Sequence, residues 1–220
     1  MKVDLINYTP DPDRAAAHAA LTCYREDIPY KEDMTDDLIQ EILNKIKDSG
    51  HHSVIEHSSF TFSIEGVSRA LTHQLVRHRL ASFSQQSQRY VDIDEFDPVI
   101  PDSVLENKEC HQLYDELMKQ VKKTYIALKS EIPLEDARYV LPNATKTNII
   151  VTMNARELWH FFSLRCCRRA QWEIRDMADR MLELCKEVSP IIFEDAGAPC
   201  LRGPCPESPE FTCGEPMRRK

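Results

Sequence analysis

The chain has 220 residues, 42% hydrophobic and 29% charged, the balance of a soluble globular protein long enough to bury a sizeable core. No apolar run approaches the roughly 20 residues that cross a bilayer, so a membrane protein is not expected. A formal charge of −8 argues against a nucleic-acid polymer as partner, because sequence-independent affinity for DNA or RNA needs clustered Lys and Arg.

Val3 to Asn7 alternates as a strand does, and the N-terminus has neither the apolar stretch nor the cleavage site of a signal peptide, so the expected location is the cytoplasm. Asp13 to Thr22 reads as an alanine-rich helix. Thr35 is placed to cap a helix whose Leu38, Ile39, Ile42, Leu43 and Ile46 form one apolar stripe, ending at Gly50. Phe60, Phe62 and Ile64 alternate with polar neighbours and predict a half-buried strand. Ser68 then caps a helix expected to run to about Arg79, followed by a polar stretch from Ser82 to Tyr90. Leu113, Leu117, Val121 and Ile126 mark a long surface helix between Lys108 and Ser130. Asn148 to Met153 is strand-like, and Asn154 is a candidate N-cap for a helix from Ala155 to Arg165. A last helix, about Gln171 to Val188, carries Ile174, Met177, Met181, Leu182 and Cys185 on one side and stops before Pro190. Helices and strands without regular βαβ alternation predict an α+β domain over residues 1–193, with a Cys- and Pro-containing tail over 194–220.

The densest chemical signal is Arg77-His78-Arg79, seven residues, then Ser87, with Arg89-Tyr90 closing the segment. From Gly66 to Val91 there is no Asp or Glu, while Arg69, Arg77, Arg79 and Arg89 fall there. Such a segment is either a solvated basic face or a receptor for a small anion, with Arg77, Arg89, Gln85 and Ser87 as phosphate donors. In the helix after Asn154, Arg156 and His160 share a face and Asn154 nearly aligns with Arg165. Asn154 is then a cap alone, or part of a ligand-facing row of amide, imidazole and guanidinium groups. Trp159, Phe161 and Phe162 are assigned to the core. The cluster His51-His52-Ser53-Val54-Ile55-Glu56-His57 lacks zinc-protease spacing, so no catalytic metal is expected.

With five glycines in the chain there is no glycine-rich phosphate loop, so any nucleotide cofactor must be held by side chains. The eight cysteines are scattered and expected to be reduced, with Cys166-Cys167 read as packing. Cys200, Cys205 and Cys213 leave three readings of the tail: a metal site with a ligand such as Cys185, a redox-active segment, or a loop covering the core.

Together these residues resemble the flavin-dependent thymidylate synthases, whose hallmark is R-H-R, seven residues and a serine. The resemblance extends through His51 to His57, Ala137 to Pro142, Asn154 to Arg165 and Ala170 to Ile174, covering the chain to about Ile192. It implies an α+β fold with a mixed sheet flanked by long helices, assembled as a homotetramer with active sites shared between subunits. It also implies reductive methylation of dUMP to dTMP, with FAD as cofactor and NADPH and methylenetetrahydrofolate as co-substrates.

On this resemblance dUMP contacts Gln74, Arg77, Gln85, Ser87, Gln88, Arg89, Arg138 and Arg165, while FAD contacts Ser53, Glu56, Arg77, His78, Arg79, Leu80, Asn154, Arg156 and His160. His51, Ser87 and Arg165 are the expected catalytic positions. Gln85 stands where many relatives have Glu, and an amide cannot act as an anionic base there. Ser87 has no base partner in the local sequence and is expected to position dUMP without becoming a covalent nucleophile. The competing readings are a nucleotide-binding regulatory protein, a nucleotide-binding flavoprotein without methyl transfer and, more distantly, a metal-dependent hydrolase built on His51, His52 and His57.

Overall fold

The computed structural model describes residues 1–27, 34–93 and 97–216. Strand β1 (Lys2–Tyr8) leads into α1 (Pro12–Thr22), then α2 (Asp36–Ser49) and a 3-10 segment (His52–His57). Strand β2 (Ser59–Ser68), helix α3 (Arg69–Leu75) and strand β3 (Ala81–Gln85) follow. Helices α4 (Asp102–Leu105), α5 (Lys108–Lys129) and α6 (Leu134–Ala137) precede strand β4 (Lys146–Asn154). Helices α7 (Ala155–Arg165), α8 (Trp172–Val188) and α9 (Pro190–Phe193) close the core.

Among the described residues the strands form one sheet in the order β1-β2-β4-β3. Each pairing is antiparallel, so the α+β expectation holds while the sheet is antiparallel where a mixed one was expected. The cause is that β4 returns between β2 and β3 and runs against both. Its alternation puts Thr147, Ile149, Val151 and Met153 on the buried face, opposite register-matched Phe60, Phe62 and Ile64 of β2. Helices α7 and α8 cover that face with Phe161, Phe162, Met177 and Met181, all fully buried. The core continues to Phe193, whose ring meets Phe60 edge-on at 5.3 Å. Each of these large side chains contributes about 1.5–3 kcal/mol by leaving water. The other face keeps Ser82, Ser84, Asn148 and Ile150 exposed.

Two buried carboxylates tie helix starts to the core. Glu173 accepts the Ser68 backbone N–H at 2.7 Å and the Ser68 hydroxyl, while that hydroxyl accepts the Leu71 N–H at the start of α3. Asp13 accepts the N–H groups of Ile191 and Ile192 at 3.0 and 3.1 Å, and the Ser189 hydroxyl. Asp13 thus satisfies orphan donors at the start of α9, and Glu173 backs the Ser68 cap that does the same for α3.

Several expected boundaries stand. Thr35 and Asn154 cap α2 and α7 through Leu38 N–H and Glu157 N–H, and Gly50 ends α2 at φ 70°, a left-handed conformation suited to glycine. One expectation changes: helix α3 stops at Leu75, four residues short of Arg79, and part of the polar stretch is strand β3, paired with β4 from Ala81 to Gln85. Helix α5 is the expected long surface helix, and its apolar stripe faces outward: Leu113, Leu117 and Ile126 are 68%, 57% and 42% exposed, and Met118 and Tyr125 are the buried contacts. Beyond Phe193 the tail folds back with Ala196 and Ala198 buried, and its last four residues lie outside the described residues. Among the described residues no helix is long and apolar enough to cross a membrane.

Candidate active site

The end of α3 explains the arginine-histidine-arginine motif in physical terms. After the buried Leu75 the backbone makes tight turns, Arg77 N–H to Gln74 C=O and His78 N–H to Leu75 C=O. These turn Arg77 and Arg79 outward and His78 inward, the imidazole being only 5% exposed. Inside, His78 meets α7. Arg165 Nε donates to His78 Nε2 at 3.1 Å, and His78 Nδ1 lies 3.2 Å from Glu157 Oε1.

Because a guanidinium can only donate, His78 Nε2 must accept, so the ring is neutral and its single proton sits on Nδ1, facing Glu157. The same state follows from energetics. Burial, the charge of Arg165 and then that of His160 hold His78 down to about 4 from the ordinary 6.5. Because the ring is neutral, its contact with Glu157 is a hydrogen bond and not an ion pair, and burial raises the Glu157 carboxyl. Phe161 closes the site edge-on to His78 at 5.0 Å. The result is a row from a buried carboxyl through a buried imidazole to the half-buried guanidinium, which fixes the direction of Arg165.

Around this row opens a cleft of about 770 Å³ lined by Glu56, Arg77, His78, Arg79, Leu80, Asn154, Arg156, Glu157, His160, Leu164 and Arg165. Arg156 bridges to Glu56, joining α7 to the 3-10 segment. Every residue expected to contact flavin lines this cleft except Ser53, which is exposed on the 3-10 segment. His51 is also exposed, just ahead of that segment, and lies outside the lining.

The residues expected to hold dUMP are split. Arg77 and Arg165 face the cleft, whereas the remainder lie on α3, β3 and the loop after it, and near α6. There, Gln85 donates from its amide to Thr72 Oγ1 at 2.9 Å, Ser87 Oγ accepts the Arg89 N–H at 3.2 Å, and Arg89 Nε donates to Glu135 at 2.8 Å. Arg138 Nε donates to the Glu135 carbonyl at 3.0 Å, and Gln74 donates weakly to the Ala70 carbonyl at 3.4 Å. Gln88 is half-buried in the same loop.

Sequence reasoning missed Glu157, whose signal was only its place one residue after Arg156. It also placed Trp159 in the core, whereas that ring is half-buried and lines a second cleft, because its position on α7 falls at the edge of the apolar face. Among the described residues no three or more His, Cys, Asp or Glu side chains are grouped to hold a metal ion.

Arg77 and Arg79, with Arg156 beside its partner Glu56, offer guanidinium donors of the kind a pyrophosphate requires, and exposed Leu80 and Leu164 supply apolar contact for a planar ring, so the cleft residues fit a nucleotide cofactor such as FAD. The fold and cleft thus define an α+β protein whose cleft side chains suit phosphorylated, ring-bearing ligands, with no glycine loop. Residues 4–191 match the family described as Thymidylate synthase complementing protein. A flavin-dependent thymidylate synthase of Geobacter sulfurreducens is 54% identical over 222 residues, taking in 98% of this chain and 94% of that protein. The corresponding proteins of Clostridium tetani and Pyrococcus abyssi are 44% and 45% identical, over 100% and 94% of this chain and 96% and 90% of theirs. The chain belongs to the flavin-dependent thymidylate synthase family.

Proposed function

We propose that the protein methylates dUMP to dTMP, taking the one-carbon unit from methylenetetrahydrofolate and reducing equivalents from NADPH through FAD. The observation that carries this reading is the single cleft that gathers Arg77, Arg79, Arg156, Asn154 and His160 around Arg165. Bound there, FAD would supply the hydride-transfer chemistry that no side chain provides.

The protein's own contribution is placement and charge. Arg165, aimed by His78, polarises the uracil ring and stabilises negative charge as C5 becomes nucleophilic. Arg77, Arg89 and Arg138 neutralise the nucleotide phosphate; Arg89 exchanges its exposed partner Glu135 for it at little cost. Gln74, Gln85 and Gln88 hydrogen-bond the nucleotide, and Gln85, being an amide, orients the base without abstracting a proton. Ser87 positions dUMP, in keeping with a hydroxyl that accepts a backbone N–H and turns its loop. Glu56, Ser53, His78, Leu80 and His160 complete the flavin surroundings, and His51 acts from the adjoining surface.

The active form is a homotetramer in the cytoplasm, with each site completed by neighbouring subunits. Two features support the assembly: the nucleotide residues are spread beyond one chain's cleft, and α5 leaves an apolar stripe at Leu113, Leu117 and Ile126 in solvent. The test is anaerobic dTMP formation by FAD-reconstituted protein with single omissions of dUMP, methylenetetrahydrofolate and NADPH. Product that needs all three supports the reading; flavin oxidation by dUMP without folate would replace it with an oxidoreductase lacking methyl transfer.

A further inference from the structure

Beside the flavin cleft, and continuous with it through Arg156 and His160, lies a second cleft of about 700 Å³. Its wall is Trp159, whose indole N–H donates to the Ile192 carbonyl at 2.9 Å and so cannot swing away. The His52 ring lies 5.7 Å from the Trp159 ring, and the Arg202 guanidinium sits 4.9 Å from the indole centroid. A planar cation, an indole and an imidazole therefore share one pocket.

Arg202 is brought there by the tail, and the local backbone is built for it. Its Nη1 donates to the carbonyls of Asp195 and Gly197, closing a loop around the 3-10 turn Pro199–Leu201. Gly197 has φ 128°, a backbone conformation that strains any residue with a Cβ, so the turn favours glycine there. The other cations of the cleft are engaged by carboxylates, Lys47 with Glu194 and Asp195 and Arg156 with Glu56. Arg202's hydrogen bonds run to backbone carbonyls, which leaves its charge available to an incoming anion.

We propose that this second cleft receives the anionic arm of a ring-bearing co-substrate whose reacting end lies in the flavin cleft, with a carboxylate or phosphate paired to Arg202 beside His52 and Trp159. The proposal rests on the synthase reading above, under which both co-substrates carry such an arm: the folate its glutamyl carboxylates, the nicotinamide dinucleotide its 2′-phosphate. The tail, to which the family resemblance assigns nothing, thereby becomes part of the substrate-binding surface.

The test is steady-state dTMP formation by FAD-loaded R202Q, comparing NADPH with NADH and monoglutamyl with polyglutamyl methylenetetrahydrofolate. Loss of one charge-assisted contact is expected to raise the KM of one co-substrate about tenfold, with the dUMP KM and flavin content unchanged. Collapse of the NADPH preference assigns the phosphate arm; collapse of a polyglutamate advantage assigns the carboxylate arm. Calorimetry of the holoenzyme with p-aminobenzoylglutamate and with adenosine 2′,5′-bisphosphate should show one of the two binding, about tenfold more weakly in R202Q. R202K, which keeps the charge and loses the planar fork, serves if R202Q melts early and should weaken the same probe about threefold. Unchanged KM values together with no heat from either probe would overturn the proposal while leaving the synthase reading intact. A wild-type protein that makes no dTMP would instead fail that reading, and the calorimetry would still decide the cleft.

Discussion

Replacing Glu157 by Leu tests whether the buried row aims Arg165. The structure leaves His78 one proton, on Nδ1, because Nε2 is committed to Arg165. Leucine removes the acceptor and strands that N–H in a site with 5% exposure, an orphaned buried donor costing about 1–3 kcal/mol. Part is recovered because a carboxyl already pushed toward its neutral form by burial no longer needs to be desolvated. A net loss of about 2 kcal/mol in a chain of this size lowers Tm by roughly 4–8 °C. Glu157→Gln keeps an oxygen acceptor and should stay within about 0.5 kcal/mol of the parent. Because Arg165 loses its fixed rest, kcat should fall about tenfold in E157L at a temperature where both proteins are folded, with flavin content preserved. Scanning calorimetry and single-turnover kinetics provide the assay. An E157L protein that melts and turns over like the parent, or an E157Q protein as impaired as E157L, would refute the reasoning; so would a nitrogen-15 spectrum placing the His78 proton on Nε2.

The same site carries a pH dependence whose sign follows from linkage. His78 is held near 4 in the folded state against 6.5 ordinarily, so the unfolded chain binds the extra proton first and stability falls as pH drops from about 6.5 to 4. The His78 contribution approaches about 3 kcal/mol at pH 4 and levels off below it, while the raised carboxyl of Glu157 pulls the other way as pH falls. Urea titrations of Glu157→Gln across that range isolate the His78 slope, which should be missing if the ring is already charged at neutral pH. Arg165→Ala should lower kcat about 100-fold or more with flavin retained, and an effect confined to the dUMP KM would remove Arg165 from charge stabilisation. Gly50→Ala should cost about 1 kcal/mol, because the left-handed φ of 70° strains any Cβ even though nothing lies within 4 Å of it; an unchanged denaturation midpoint would mean that the helix end relaxes.

Local signals were legible wherever one stretch of chain decides the outcome. Thr35, Asn154 and Gly50 act on the turn they belong to, and the 2-residue alternation of Phe60, Phe62 and Ile64 settles which face of β2 is buried. Strand β3 was not legible, because Ser82, Ser84 and Gln85 have little intrinsic strand preference and are held extended by the β4 ladder. Nor was the direction of the α5 stripe, since periodicity shows that a helix has an apolar face without showing what that face meets.

By itself the sequence determined the α+β class, the helix caps and the family, because a motif of fixed spacing such as Arg77-His78-Arg79 to Ser87 is a one-dimensional fact. Only the tertiary structure decided that the middle residue of that motif is buried and neutral, that Glu157 stands behind it, and that Arg202 reaches Trp159 from the end of the chain. These contacts join residues 79, 87 and 43 positions apart, and no local pattern encodes a partner at such separations. Their geometry exists only after β4 has docked between its neighbours and carried α7 to the end of α3, so the charge state of His78 and the aim of Arg165 are properties of the packing.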